Sequence, residues 1–341
     1  MSIAENTAVI LVNWCGWQDT LECLGSLLRL NAPPASIIVV ENASPDDSAQ
    51  HLRAWCVGEL EHLPERDHEG IAILKRAPPS LDWLERWEDE AMPSPLPRVL
   101  ILRSRTNGGF AAGNNLALRV GYDAGLSKFW LLNTDTVVPP DALEQLLIRA
   151  QARPDAGMIG STLIYYWQPD RIQALGGASF DASTGVGRHL GDGESVDCIP
   201  SDPSEYEALM RYVVGASLLI SREFFRDVGP MCEDYFLYFE EIDWALRARG
   251  SYGLAYAPLS RVYHKVGGSS MKYESRSSLR YLYRNRLRLI GRFFPKARGC
   301  AVAYMLVQIL QHARRRRWAD VRELMGAVVR SRRLFASESA R

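Results

Sequence analysis

Four short apolar runs, each followed by small, polar or acidic residues and spaced by helix-length segments, constrain this chain more than any other feature. They are AVILVNW (Ala8–Trp14), SIIVVEN (Ser36–Asn42), RVLIL (Arg98–Leu102) and KFWLL (Lys128–Leu132). Runs this apolar, without polar alternation, read as strands buried on both faces of a parallel sheet. After the first run, Leu21, Leu24, Leu27 and Leu28 share one helical face, with Asp19 the expected N-cap. A further helix is expected from about Phe110 to Ala124. Strands alternating with helices predict a doubly wound α/β sheet, whose ligands bind beyond the carboxyl ends of the strands.

The chain has 341 residues, 47% hydrophobic and 23% charged, which excludes disordered and fibrous classes and leaves room for one large or two ordinary domains. Six scattered cysteines without a CxxC pair suggest neither a disulfide framework nor a zinc site, and a reducing compartment is expected. No signal-like stretch opens the chain. The apolar segment Ala301–Leu310 is interrupted by Gln308 and is shorter than the roughly 20 residues that cross a bilayer. A cytoplasmic protein is therefore expected. Residues 56–97 break the alternation with six prolines and the charged stretch LDWLERWEDE. They are expected to form a surface insertion carrying one short helix.

Three clusters carry possible chemistry. NGGFAAGNN (Asn107–Asn115) joins the third run to a helix; its glycines permit close backbone approach, and a helix N-terminus suits an anion. The same residues equally suit an Asn-capped turn. LLNTDT (Leu131–Thr136) places Asp135 after a buried strand, where it suits a hard divalent cation or caps the next helix. EDYFLYFEEIDWALRARG (Glu233–Gly250) crowds Glu240, Glu241 and Asp243 into a helix's first turn. Acids there complement the helix dipole. Flanking aromatics would also partly bury them and raise a pKa toward that of a base. His264 follows another apolar run, and a lone histidine is more often structural than functional.

Taken in order, VILVNW, IIVVENAS, NGGFAAGNN, LLNTDT, VVGASLLISREFFRDVG, YFLYFEEIDWALRARG and VYHKVGG resemble the family 2 glycosyltransferases, nearest their bacterial rhamnosyltransferase-like group. The resemblance covers about residues 8–270 apart from the insertion. It implies a GT-A fold with C-terminal helices: a catalytic domain over 1–270 and a basic helical region over 271–341. It also implies that Glu41, standing where the family usually has Asp, contacts the nucleoside. Asn107, Gly108, Asn114, Asn133 and Asp135 then fall on the nucleotide side. Asn133-Thr134-Asp135 matches the DxD-like motif with its first acid replaced, and Asp135 with His264 would hold Mg2+ or Mn2+. Glu240-Glu241 matches the Glu-Asp pair whose second member is the general base, and Asp243 matches a further frequent acid.

The implied function is inverting, metal-dependent transfer of a sugar from a nucleotide diphosphate donor to a hydroxyl of a glycan or lipid-linked glycan in cell-surface polysaccharide synthesis. The first donor expected is dTDP-rhamnose, with UDP-hexoses behind it. A sugar nucleotidyltransferase would need a basic Gly-rich loop after the first strand, where NWCGWQDT stands instead. An inactive glycosyltransferase-like scaffold remains the alternative of a different class.

Charge is unevenly spread. Arg276–Arg341 holds 17 basic and 3 acidic residues, leaving 23 basic and 37 acidic before it. Arg276, Arg280, Arg284, Arg288 and Arg292 recur every four residues of an expected helix, and Arg314–Arg317 form a second cluster. No nucleic-acid module accompanies them. The 276–292 stripe alone equally fits a solvated charged face on a helix packed against the catalytic domain. With the second cluster added, the expected partner is an anionic membrane surface, at the inner face of the cytoplasmic membrane.

Overall fold

A computed structural model describes residues 4–266 and 276–338. The first half runs β1 (Thr7–Asn13), α1 (Trp17–Leu27), β2 (Ser36–Glu41), α2 (Ser48–Cys56), β3 (Trp83–Trp87), β4 (Val99–Arg103), α3 (Gly109–Asp123) and β5 (Lys128–Leu132). The four apolar runs are strands β1, β2, β4 and β5, all parallel. Ile10, Ile38, Leu100 and Trp130 are completely buried, as strands covered on both faces require.

Next come β6 (Thr136–Val137), α4 (Ala142–Ala152), β7 (Ala156–Tyr165), β8 (Gln168–Leu175), β9 (Gly177–Asp181), β10 (Val186–His189), α5 (Ser204–Leu209) and β11 (Tyr212–Val213). They are followed by β12 (Ser217–Ser221), α6 (Arg222–Val228), α7 (Glu240–Ala248) and β13 (Gly253–His264). Ten strands make one sheet in the order β3-β4-β2-β1-β5-β12-β7-β13-β6, with β8 paired to β7. A second sheet has the order β10-β9-β11. Strand β12 pairs antiparallel with β5 and so splices the parallel half to the rest.

Two local expectations are corrected. The helix expected in the insertion is strand β3, added parallel to β4 at the sheet edge. Its alternation explains this: Glu85 meets Arg53 and Arg103, and the Trp87 ring underlies Arg103 and Arg105. Helix α1 starts at Trp17 with Gly16 before it, so Asp19 lies in its first turn, where it binds Lys265 at 2.7 Å.

The C-terminal region folds as α8 (Arg276–Phe293), α9 (Arg298–Arg314) and α10 (Trp318–Glu338). Leu289 of α8 enters the main core, while Tyr283, Leu287 and Ile290 pack with Ala301, Met305, Ile309, Leu324 and Ala327 in a second cluster. The arginine stripe is largely spent inside the protein. Arg280 pairs with Glu323, Arg288 with Asp234 and Arg292 with Asp243, and Arg284 donates to the Asp234 carbonyl. These pairs clamp α8 to its neighbours, while the Arg280 and Arg292 side chains stay partly exposed. The Arg276 side chain and the expected boundary at 270/271 lie outside the described residues. Among the described residues, no helix is long and apolar enough to cross a membrane.

Candidate active site

The carboxyl ends of β1, β2, β4 and β5 open into a cavity of about 500 Å3. Trp14, Asn42, Asn107 and Asn133–Asp135, the residues just beyond those strands, line it. Phe236–Tyr238, Glu240 and Glu241 also line it, with Gln173, His189 and His264 and, from α8, Ser278 and Tyr281.

Strand register assembles the first polar pair. Residues 136–137 of β6 pair antiparallel with Tyr263–His264 of β13, and the Lys265 N–H donates to the Asp135 carbonyl at 2.9 Å. His264 Nε2 thereby lies 3.2 Å from Asp135 Oδ1, with both residues buried. The other imidazole nitrogen, Nδ1, is 2.9 Å from Gln173 Oε1. An amide oxygen only accepts, so Nδ1 donates to Gln173 and Nε2 is left facing the carboxylate. Two acceptors facing each other at this distance need a proton or a cation between them.

One carboxylate and one imidazole suit a divalent ion and leave most of its coordination positions open. Among the described residues no third His, Cys, Asp or Glu completes a protein-only site, so the remaining ligands would come from a bound molecule. Behind the pair, Lys265 bridges Asp19 and Glu22 at 2.7 Å each. Burial alone would depress its ammonium, but the two carboxylates outweigh that and hold it above its ordinary value.

The second pair comes from α7. Its preceding loop carries positive φ at Phe236 (64°), Tyr238 (68°) and Phe239 (78°), a costly conformation for side-chain-bearing residues. Two supports hold it. The Phe236 carbonyl accepts from the Phe110 N–H at 2.8 Å, beside Gly109, where a Cβ would stand 2.1 Å from that oxygen. On the other side the Asn285 amide of α8 donates to the carbonyls of Tyr235, Leu237 and Tyr238 at 2.7, 2.8 and 3.2 Å. Tyr281 stacks on Phe236 with ring centroids 4.8 Å apart.

This loop presents Glu240 and Glu241 at the cavity wall. Each keeps one buried oxygen, Oε2, with no hydrogen-bond partner among the described residues. Burial drives the Glu240 carboxyl far above its usual range, and the adjacent Glu241 adds to the effect. Burial likewise pushes Glu241 up to about 7. Glu241 is the more exposed of the two, at the edge of the cavity, and can exchange a proton near neutral pH.

Of the expected site residues, Asn107, Asn133, Asp135, Glu240, Glu241 and His264 line this one cavity. Four do not. Glu41 is buried and its Oε1 accepts the Ser44 N–H at 2.8 Å. Gly108 precedes α3, and the Asn114 amide donates back to the Phe110 carbonyl at 2.9 Å. Asp243, fully buried, accepts from Arg247, Arg292 and Tyr235. Residues missed by sequence reasoning are Trp14, Asn42, Gln173, His189, Phe236, Ser278 and Tyr281. Asn42 had a signal, its place directly after β2, and it donates to Asn107 Oδ1 and the Gly109 carbonyl.

No family model matches the chain. It is 23% identical over 300 residues to the low-salt glycan biosynthesis hexosyltransferase Agl10 of Haloferax volcanii, covering 87% of this chain and 79% of that protein. Among solved structures it is similar to the mannosyltransferase PcManGT from Pyrobaculum calidifontis, in complex with GDP-Man and Mn2+. The TM-score there is 0.50 at 14% identity, over 96% of this chain and 86% of that one. A fragment of S. aureus TarS, residues 1–349, aligns with a TM-score of 0.47 at 11% identity, over 96% and 91% of the two chains. The fold is the GT-A fold of glycosyltransferases with added C-terminal helices, and the chain is a homologue of a hexosyltransferase.

Proposed function

We propose that the protein is an inverting glycosyltransferase of family 2 that moves a sugar from a nucleotide diphosphate donor to a hydroxyl of a glycan or lipid-linked glycan. The observation that carries this reading is one cavity holding the Asp135–His264 pair and the carboxylates of Glu240 and Glu241, each with one buried oxygen that has no hydrogen-bond partner among the described residues. The first pair suits a metal–diphosphate, and the second suits removal of a proton from a hydroxyl. A rhamnosyl donor, dTDP-rhamnose, follows from the motif resemblance. The hexosyltransferase homologue supports a hexosyl donor as the next choice.

Asn42 and Asn107, beyond β2 and β4, would border the nucleoside. Asp135 and His264 would hold Mg2+ or Mn2+, which supplies charge neutralisation for the departing diphosphate. Glu241 takes the acceptor hydroxyl proton as that oxygen attacks the anomeric carbon and the bond to the diphosphate oxygen breaks. Displacement from the face opposite the leaving group inverts the anomeric centre and needs no nucleophile from the protein. Glu240, more deeply buried beside it, stays protonated and thereby leaves Glu241 free to ionise near neutrality. We assign Asp243 to holding α7 on α8 rather than to chemistry. A lipid-linked acceptor would place the enzyme at the inner face of the cytoplasmic membrane.

Donor binding and turnover test this directly. Thermal-shift titration with dTDP, UDP and GDP, each with and without Mn2+, should show metal-dependent stabilisation by at least one. Stabilisation by none of them would remove the donor site. Glu241→Gln should abolish transfer and leave nucleotide binding within a few-fold, whereas retained turnover would assign the base elsewhere.

A further inference from the structure

Helix α9 is apolar on both sides. Ala301, Met305 and Ile309, four residues apart, are buried against α8 and α10. On its other side Leu306, Val307 and Leu310 are 46%, 51% and 60% exposed. No Lys, Arg, Asp or Glu lies between Arg298 and Arg314, whereas an ordinary solvated helix face is charged. The exposed stripe runs into Arg314–Arg317 and then Trp318, which is 63% exposed. Arg317 is paired with Asp320 at 2.6 Å. The side chains of Arg314, Arg315 and Arg316 are exposed and have no partner among the described residues.

We propose that this face of α9, with Arg314–Arg316 and Trp318, docks on an anionic lipid bilayer. The helix would lie in the plane of the interface. Its leucines and valine would enter the acyl boundary, the Trp318 ring would sit at headgroup level, and the arginines would bind lipid phosphates. Charge complementarity favours this occupant: two copies paired through α9 would bring the same arginines and no carboxylate on α9 to meet them. The proposal deepens the membrane location given above by naming its surface. It moves that surface away from the Arg280–Arg292 stripe, where Arg280, Arg288 and Arg292 are paired with carboxylates of the same chain.

The test uses the full chain and co-sedimentation with vesicles of phosphatidylcholine alone or mixed with phosphatidylglycerol. The protein should pellet with the mixed vesicles only, and high salt should release it. Replacing Arg314, Arg315 and Arg316 by Ser should weaken binding about a hundredfold, three charges at about 1 kcal/mol each. Leu306→Ser with Leu310→Ser should also weaken it. All these positions are exposed, and an unchanged melting temperature and nucleotide binding in solution would show that each variant is folded. Vesicle binding that ignores both variants, or no vesicle binding by the parent, overturns the proposal. So does a dimer in sedimentation velocity that the leucine variant converts to monomer, since a second copy would then cover the face. Nucleotide binding is read without vesicles, so failure of the donor site and failure of the docking surface are told apart.

Discussion

The Asn285 side-chain amide, on α8, donates to the Tyr238 carbonyl at 3.2 Å and to those of Tyr235 and Leu237 at 2.7 and 2.8 Å. Two hydrogens thus serve three oxygens in a loop whose φ angles are positive at three side-chain-bearing residues. A strained backbone persists only when its surroundings over-determine it. Removing this clamp lets the loop relax and carries Glu240 and Glu241 with it. Asn285→Ala is expected to cost about 1–3 kcal/mol through the orphaned carbonyls. Turnover should fall by about a hundredfold, the effect of misplacing a reacting group by an ångström. Calorimetry and steady-state kinetics check the two effects, and nucleotide affinity should stay close to wild type.

The same loop is held from the other side at Gly109. Its φ is +85°, and a Cβ there would lie 2.1 Å from the Phe236 carbonyl oxygen, a backbone atom that cannot turn aside. Gly109→Ala must therefore displace either α3 or the loop. It should lower the melting temperature and turnover together, whereas Gly125→Ala, also at positive φ but with nothing within 4 Å, should affect stability alone. Equal turnover in the two variants would show that contact with the loop is unimportant.

Buried acids make stability depend on pH with a definite sign. Unfolded, Glu240 and Glu241 titrate near the ordinary value of about 4.3. Folded, both are raised by burial, Glu241 to about 7 and Glu240 well above its usual range. Across that window the folded chain binds more protons than the unfolded one, so stability falls as pH rises. Below the unfolded value the penalty is absent. Glu240→Gln should therefore raise the melting temperature at pH 8 and leave it nearly unchanged at pH 4. Turnover by the wild type should climb with pH through about 7 as Glu241 ionises. A flat rate profile would remove Glu241 as base.

The sequence spelled out the parallel half of the sheet because each strand there is buried on both faces and carries an unbroken apolar run. Asp135 and His264 were found through motifs, yet what joins them is the β6–β13 register, which no local pattern encodes. Gln173, His189 and Tyr281 reach the cavity from β8, β10 and α8, through long-range pairing and the return of α8 over the α7 loop. Glu41 and Asn42 show the limit of neighbour logic. Glu41 ends β2 and ties its own turn, while Asn42, one residue beyond the strand, lines the cavity. The pairing of the arginine stripe within the chain was not legible, because a four-residue charge repeat looks the same whether it meets water or carboxylates. Asp234, Asp243 and Glu323 are distant enough in sequence to be invisible from α8.

Asp243 separates structural from chemical roles on α7. It is wholly buried, accepts from Arg247 Nε and Arg292 Nη1 at 2.8 Å each, and from the Tyr235 hydroxyl at 3.0 Å. Arg292 belongs to α8, so the cluster ties the C-terminal helices to the helix bearing Glu241. Removing one partner of a buried ion pair typically costs about 3–5 kcal/mol. Here the arginines left behind are partly exposed and can recover water, so Asp243→Ala should fall at the lower end of that range. Asp243→Asn keeps an acceptor oxygen and the packing volume while losing the charge. Its folded fraction should turn over within a few-fold of wild type at a reduced melting temperature, with an unshifted pH–rate profile. A collapse in turnover at unchanged stability and nucleotide affinity would instead give Asp243 a part in the chemistry. Arg292→Met tests the same link from α8: it should weaken the protein by less than Asp243→Ala, because Arg247 remains to hold the carboxylate.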